Sequence, residues 1–371
     1  MPTSLKYIYN DVFFGEFCTA AKKAIPGFNQ KSFVEALCHS DWEALELKQR
    51  MRRLSTVLQS FLPGNYAKQL ATMFELIDAL PKPGSVQYGS LAYMFLPDFV
   101  EQFGQHDLKR SLQAMEKVTP FTSCEFAIRP FLKNHLKETM FQMQEWSKHP
   151  NEHVRRFASE GCRPRLPWGM AVESLKKDPA TILPILERLK NDPSAYVRRS
   201  VANNMNDISK DHPLLVIELA AEWLGKTADT DRLLKHACRG LLKSGNSEAL
   251  GLFGTATDVP CNVRELQFSS KQITMGSSLQ FSFDVQMLAK EAARLRIEYG
   301  VHFMKANGQQ QQKVFKIAEC AFNPAQKISF QKKHAFKDLT TRKHYEGAHE
   351  ISIIVNGLAR QQLSFMLQKN S

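Results

Sequence analysis

HPNEHVRRFASEG (149–161) and DPSAYVRRSVANN (192–204) carry one pattern twice, offset by 43 residues. Pro, Val, Arg and Arg coincide, and small or apolar residues follow in step. Each copy continues past KDP (177–179) or KDHP (210–213) into a second amphipathic stretch, ATILPILERL (180–189) or LLVIELAAEWL (214–224). A degraded third copy begins near LLKHACRGLLKSG (233–245). Apolar residues three and four apart give each stretch one buried helical face. Helical pairs recurring at roughly 40–47 residues mark HEAT-type repeats, whose stacked hairpins build a solenoid with a concave binding wall.

The helical period extends upstream through MRRLSTVLQSFL (51–62), YAKQLATMFELIDAL (66–80) and CEFAIRPFLKNHLKETMFQMQEWS (124–147). After residue 258 the period falls to two. LQFSFDVQ (279–286) and RLRIEYGVHF (294–303) alternate as half-buried strands do. HEISIIVNGLARQQLSFML (349–367) reads as two strands joined at Asn356-Gly357, a favoured hairpin turn. With KISFQ (327–331) and VRELQF (263–268) this makes six or seven short strands, the pattern of an immunoglobulin-like sandwich. The expected fold is therefore mainly α. A HEAT-like α-helical solenoid spans 1–257, and a small immunoglobulin-like β-sandwich follows at 258–371.

Composition narrows the function. The 371 residues are 43% hydrophobic and 23% charged, which excludes wholesale disorder. A net charge of +12 points to an anionic partner such as nucleic acid. Residues 258–371 are densely basic, with 16 Lys or Arg against 9 Asp or Glu. The cysteines Cys18, Cys38, Cys124, Cys162, Cys238, Cys261 and Cys320 are scattered without a CxxC pair, so buried reduced thiols are expected. With no signal-peptide pattern and no apolar run long enough to span a bilayer, a soluble cytoplasmic monomer with no membrane partner is the expectation. No phosphate-binding loop, zinc-protease helix or dinucleotide fingerprint is present.

The densest chemistry lies in NEHVRRFASEGCRPRLPWG (151–169), with four arginines, two glutamates, a histidine and a tryptophan. Arg156 and Glu160 sit four apart, and on an isolated helix that is an ion pair worth about 0.2–0.5 kcal/mol. Three features favour a site instead. The second repeat supplies Arg198 and Arg199 at the equivalent positions. Prolines end the helix and place Arg163, Arg165 and Trp168 in a loop. Glu125, in TSCEFAIRPFL, is read as part of the first helix of the preceding hairpin, so that stacking brings Glu125 and Glu160 to one wall. Arginines neutralise phosphates, and an exposed indole stacks on sugar or base. Carboxylates suit a basic groove only where positive charge develops or water must be directed, as when a glycosidic bond breaks. A structural ion pair is the competing reading for either glutamate. Asn203, Asn204, Asp207 and His212 either touch phosphate or cap helices, and Asp178 and Asp211 read as caps. His236 and Arg239 extend the basic wall. Trp42, Trp146 and Trp223 read as core.

VRRFASEGCRPRLPWG followed by YVRRSVANNMNDISKDHP resembles the AlkC family of bacterial alkylpurine DNA glycosylases, and the strand-rich tail resembles the immunoglobulin-like domain of one branch of it. The resemblance implies monofunctional base excision repair. The N-glycosidic bond of cationic alkylated bases is hydrolysed in double-stranded DNA, 3-methyladenine foremost, with 3-methylcytosine and 1-methyladenine as further substrates. It implies that the base is not flipped and that no metal, other cofactor or lysine nucleophile is needed. Glu125, Glu160 and Trp168 match the family's active-site residues, with Glu160 expected as principal stabiliser and Glu125 sharing the role. Arg156, Arg163, Arg165, Arg198, Arg199, Asn203, Asn204, His236 and Arg239 are expected at the DNA, and the protein at the nucleoid. The +7 sandwich is expected to embrace the DNA from the side opposite the solenoid. The alternative is a noncatalytic HEAT scaffold binding nucleic acid or protein.

Overall fold

Side-chain oxygens start many of the helices. Asn10, Asn29, Asn65, Asp107, Asn151 and Asn246 each accept a hydrogen bond from a backbone N–H two or three residues on. The computed structural model describes residues 4–38, 41–82, 89–255, 258–338 and 343–369. Among these the first helices are α1 (Asp11–Ala24), α2 (Gln30–Leu37), α3 (Leu47–Phe61), α4 (Tyr66–Ala79), α5 (Phe95–Phe103) and α6 (Leu108–Val118). Next come α7 (Arg129–Asn134), α8 (Leu136–Trp146), α9 (Glu152–Gly161), α10 (Glu173–Lys177), α11 (Leu183–Leu189) and α12 (Ala195–Ile208). The last four are α13 (Pro213–Trp223), α14 (Ala228–Ala237), α15 (Arg239–Lys243) and α16 (Ser247–Leu252).

The two VRR segments become α9 and α12, which pack side by side, with α8 against α9 and α11 against α12. Val154, Phe157 and Ala158 of α9 and Val197, Val201, Ala202 and Met205 of α12 form the apolar interior, all 0–1% exposed. Trp42, Trp146 and Trp223 are buried, as their helical setting suggested. The stretch 124–147 is not one helix. Residues 125–128 form a turn, α7 starts with Pro130 in its first turn, and the backbone breaks at His135 (φ −138°, ψ 55°). Proline lacks an N–H and is tolerated only where a helix begins, so a helix cannot run through it from Glu125.

Two sheets follow, with strand orders β1-β3-β6 and β2-β8-β7-β4-β5. The strands are β1 (Cys261–Phe268), β2 (Gln272–Thr274), β3 (Ser278–Met287), β4 (Ala293–Met304), β5 (Gln310–Phe322), β6 (Lys327–Ala335), β7 (Gly347–Val355) and β8 (Leu358–Gln368). Phe281, Phe283, Val285, Leu295, Ile297, Val301, Ile351 and Ile353 belong to their shared core. Asn356 (φ 51°) and Gly357 (φ 81°) both adopt the left-handed conformation that the expected two-residue hairpin turn demands.

The chain divides into two compact units, Met1–Asp211 with Gly225–Leu233 and His212–Leu224 with Leu234–Ser371. The change of period at 257/258 falls on residues 256–257, which lie outside the described ones. In the second unit helices accompany the strands. A Cβ on Gly357 would stand 2.6 Å from the Cα of Gly245, and Lys235 reaches Glu319 at 2.7 Å. Glu319 lies across from Arg296 of β4. This cover explains why β4 is buried almost continuously instead of alternating, with Arg296 and Glu298 enclosed as a 2.6 Å ion pair.

Candidate active site

The first arginine of each VRR pair stitches repeats together. Arg155 donates to the carbonyls of His149 and Pro150 at 3.0 and 2.7 Å and grips Asp192 at 2.6 and 3.0 Å. Arg198 repeats this on the carbonyls of Asp192 and Pro193 at 2.6 and 3.0 Å, with Asp229 at 2.9 Å. Planar guanidinium forks suit this double duty.

The second arginine of the first pair faces the site. Arg156 donates to the carboxylate of Glu125 and to the hydroxyl of Ser123 (2.9 Å), and lies 3.5 Å from Glu160. Its guanidinium is 5.1 Å from the ring centroid of Tyr196, which is 44% exposed. Burial would lower the Arg156 guanidinium, but Glu125 and Glu160 hold it above its usual value. Glu160 in turn accepts from Arg163 at 2.6 Å on Oε1 and from the Ser200 hydroxyl at 2.7 Å on Oε2. Arg163 continues to Asp207 at 2.7 Å, and Lys210 binds the other oxygen of Asp207 at 2.8 Å. The result is an alternating chain, Glu125–Arg156–Glu160–Arg163–Asp207–Lys210. It is buried at its centre, where Glu160, Arg163 and Asp207 are 5%, 6% and 2% exposed. The two glutamates differ. Glu160 has both oxygens engaged, whereas Oε1 of the half-buried Glu125 accepts no hydrogen bond among the described residues.

Arg129 fixes the loop between Gly161 and Trp168. Its guanidinium, 1% exposed, donates to the carbonyls of Met170 (2.8 Å), Gly161 (2.9 Å) and Arg163 (2.5 Å). Burial pulls it down to about 10, still charged at neutral pH. Gly161 permits the close packing, since a Cβ there would meet the Met143 methyl at 2.7 Å. Trp168 lies at φ 64°, a conformation that strains a bulky residue, and is 62% exposed. Its carbonyl accepts from Lys48 at 2.5 Å, and the Lys48 ammonium lies 5.0 Å from the Phe126 ring, next in sequence to Glu125.

Geometry thus gathers Glu125, Arg156, Glu160 and Arg163 and presents Trp168, but corrects several expectations. Glu125 stands in a turn, not a helix. Arg163 is enclosed between Glu160 and Asp207 and Arg156 between the glutamates, so neither is presented to a phosphate. Arg198 is held by its own turn and Asp229. Asn204 is fully buried and donates to the Ser159 carbonyl at 2.7 Å, which removes it from any DNA surface. Arg165 pairs with Asp211 (2.8 Å for one of two bonds), and neither Asp211 nor Asp178 is an N-cap: α13 is entered at His212 and α11 at Ile182, while Asp178 accepts from the Ala180 N–H at 2.9 Å in the turn before α11. Arg199 is exposed and without a partner among the described residues, and Asn203 is half-buried. His236 and Arg239 belong to the second unit, half-buried, with Arg239 donating to the His236 carbonyl at 2.7 Å. Sequence reasoning missed Arg129, Asp207 as a member of the chain, and Lys48. The available signal for Arg129 was a lone arginine inside the apolar run FAIRPFL.

Known proteins agree with this architecture. Residues 50–241 match the model of the DNA alkylation repair enzyme family, and residues 262–369 match that of the YhaZ C-terminal Ig-like domain. The chain is 43% identical over 363 residues to the uncharacterized protein YhaZ of Bacillus subtilis (strain 168), covering 98% of this chain and 99% of that one. Among solved structures it is similar to Pseudomonas fluorescens alkylpurine DNA glycosylase AlkC bound to DNA containing an abasic site analog. That similarity has a TM-score of 0.92 and 34% identity, and covers 99% of this chain and 100% of that one. The protein with the buried Glu160–Arg163–Asp207 chain and the exposed Trp168 loop belongs to the DNA alkylation repair enzyme family.

Proposed function

We propose that this protein is a monofunctional DNA glycosylase that hydrolyses the N-glycosidic bond of cationic alkylated bases in duplex DNA, 3-methyladenine first and 3-methylcytosine and 1-methyladenine after it, without flipping the base. The observation that carries this reading is the convergence of Glu125 and Glu160 on Arg156 in the repeat that presents Trp168. An alkylated base already bears the positive charge, so it leaves without a general acid, and the charge passes to the sugar as the bond stretches. Fixed carboxylates stabilise that cation without reorganising. Glu125, with Oε1 free, is the group that meets the sugar cation or orients water, while Glu160 sets the position of Arg156 and Arg163. Trp168 offers its ring to the sugar. The strain at Trp168 favours a site over a scaffold, because an exposed ring held in a costly conformation returns little packing energy. DNA contacts fall to Arg199 and the lysines of the sandwich.

The test is release of free 3-methyladenine from methylated duplex DNA by the purified chain. Release supports the reading. DNA binding without release returns the protein to the scaffold class.

A further inference from the structure

A cavity of about 620 Å³ opens between α3, α5 and the turn that carries Glu125. That size lies within the roughly 300–1,000 Å³ of small-molecule sites. Its walls mix polar and charged side chains with apolar ones, Leu45, Met51, Met94, Pro97 and Phe126 among the latter. Ser123 also lines it, and the Ser123 hydroxyl donates to Glu125 at 2.9 Å while accepting from Arg156 at 2.9 Å, so the cavity borders the site directly.

The polar groups state what it can hold. The cations in its wall are already engaged: Arg52 by Asp98 (3.1 Å) and Glu101 (2.6 Å), Arg53 by Asp41 (2.6 Å), and Lys48 by the Trp168 carbonyl (2.5 Å). Arg52 and Arg53 are thus neutralised, and the carboxylates of Asp98 and Glu101 in the same wall oppose a phosphate near Lys48. Asp98 is saturated by Ser55, Gln102 and Arg52. Glu101 is bound through Oε1 alone, and its Oε2 accepts no hydrogen bond among the described residues. Burial pushes its carboxyl upward, more than the nearby Arg52 lowers it. A carboxylate oxygen without a donor, in a wall that also holds Phe126, suits a flat ligand with N–H donors.

We propose that this cavity binds the free methylated purine released by cleavage, with Glu101 accepting from its amino group and Phe126 lining its ring. The inference rests on the glycosylase reading and names where its product goes. The experiment is calorimetric titration of the full chain, free of DNA, with 3-methyladenine and with inorganic phosphate. Without DNA the signal reports the free base and not a base still attached to a strand. Saturable binding of 3-methyladenine and none of phosphate is expected. Thr56→Phe, which puts a ring at the exposed mouth, and Glu101→Gln each weaken binding at least tenfold while keeping the wild-type melting temperature. Wild-type protein that excises base from DNA but binds no free 3-methyladenine overturns the inference and leaves the glycosylase reading standing. Binding of phosphate in its place, or affinity unchanged in both variants, overturns it too. A wild-type chain that neither excises nor binds removes the parent reading together with this one.

Discussion

Arg156 and Glu125 are 31 residues apart in the chain and joined by a direct ion pair, while Glu160 stands 3.5 Å from the same guanidinium. One cation therefore fixes two carboxylates from different repeats. The chain of charges continues through Arg163 to Asp207, so its stability depends on groups that touch no substrate.

Asp207→Leu leaves Arg163 half-paired in an enclosed setting. Breaking one partner of a buried pair costs about 3–5 kcal/mol. The expected result is a lower urea midpoint with unchanged slope. A loss below about 1 kcal/mol would show that the Arg163–Asp207 bond is idle.

Trp168 offers a separation of stability from activity. Left-handed backbone costs a residue with a Cβ about 1–2 kcal/mol relative to glycine. Trp168→Gly is therefore expected to be more stable than Trp168→Ala by about 1 kcal/mol, with base release strongly reduced in both. Equal melting temperatures would mean that the loop relaxes in the variants, and full activity in either would remove the indole from the site.

The second unit carries a titration marker. Burial would raise the Glu319 carboxyl, but hydrogen bonds from Lys235 and Lys316 outweigh it and hold it at about 2, below its ordinary 4.5. A depressed carboxyl stabilises the fold fully above its unfolded value and loses that contribution as pH falls through the window from 4.5 to 2. Wild type should thus lose more stability than Glu319→Gln between pH 5 and about pH 2, read by denaturation midpoints. Parallel curves would contradict the assignment.

Lys333 and Lys337 are exposed and form no ion pair among the described residues. If the sandwich contacts phosphate through them, Lys333→Gln with Lys337→Gln should flatten the dependence of log K on log salt by about 0.9 per lost contact. An unchanged slope would place DNA contact elsewhere.

The sequence made some of this legible and hid the rest for physical reasons. Helical period and the 43-residue echo disclosed α9 and α12, and two-residue period disclosed β3, β7 and β8. Glu160 and Trp168 stood out because a carboxylate and an indole sit oddly in an arginine-rich, proline-broken stretch. The echo could not tell Arg155 and Arg198, which bind their own turns, from Arg156 and Arg199, because adjacent helix positions point in different directions and only packing names the inner one. β5 escaped because it is an edge strand beginning QQQK, exposed along its first four residues and lacking an apolar stripe there. Arg129 was invisible as a strut because its partners are carbonyls of a loop more than thirty residues away.

The most direct measurement is single-turnover release of 3-methyladenine from methylated duplex DNA by wild type, Glu125→Gln and Glu160→Gln at matched protein folding. Glu125→Gln should lower the rate on the order of a hundredfold or more, the scale for removing one electrostatic stabiliser, with little change in DNA affinity. Glu160→Gln should lower both rate and melting temperature, because it loosens Arg156 and Arg163. Wild-type rates in Glu125→Gln would contradict the central claim that the carboxylate held by Arg156 stabilises the breaking glycosidic bond.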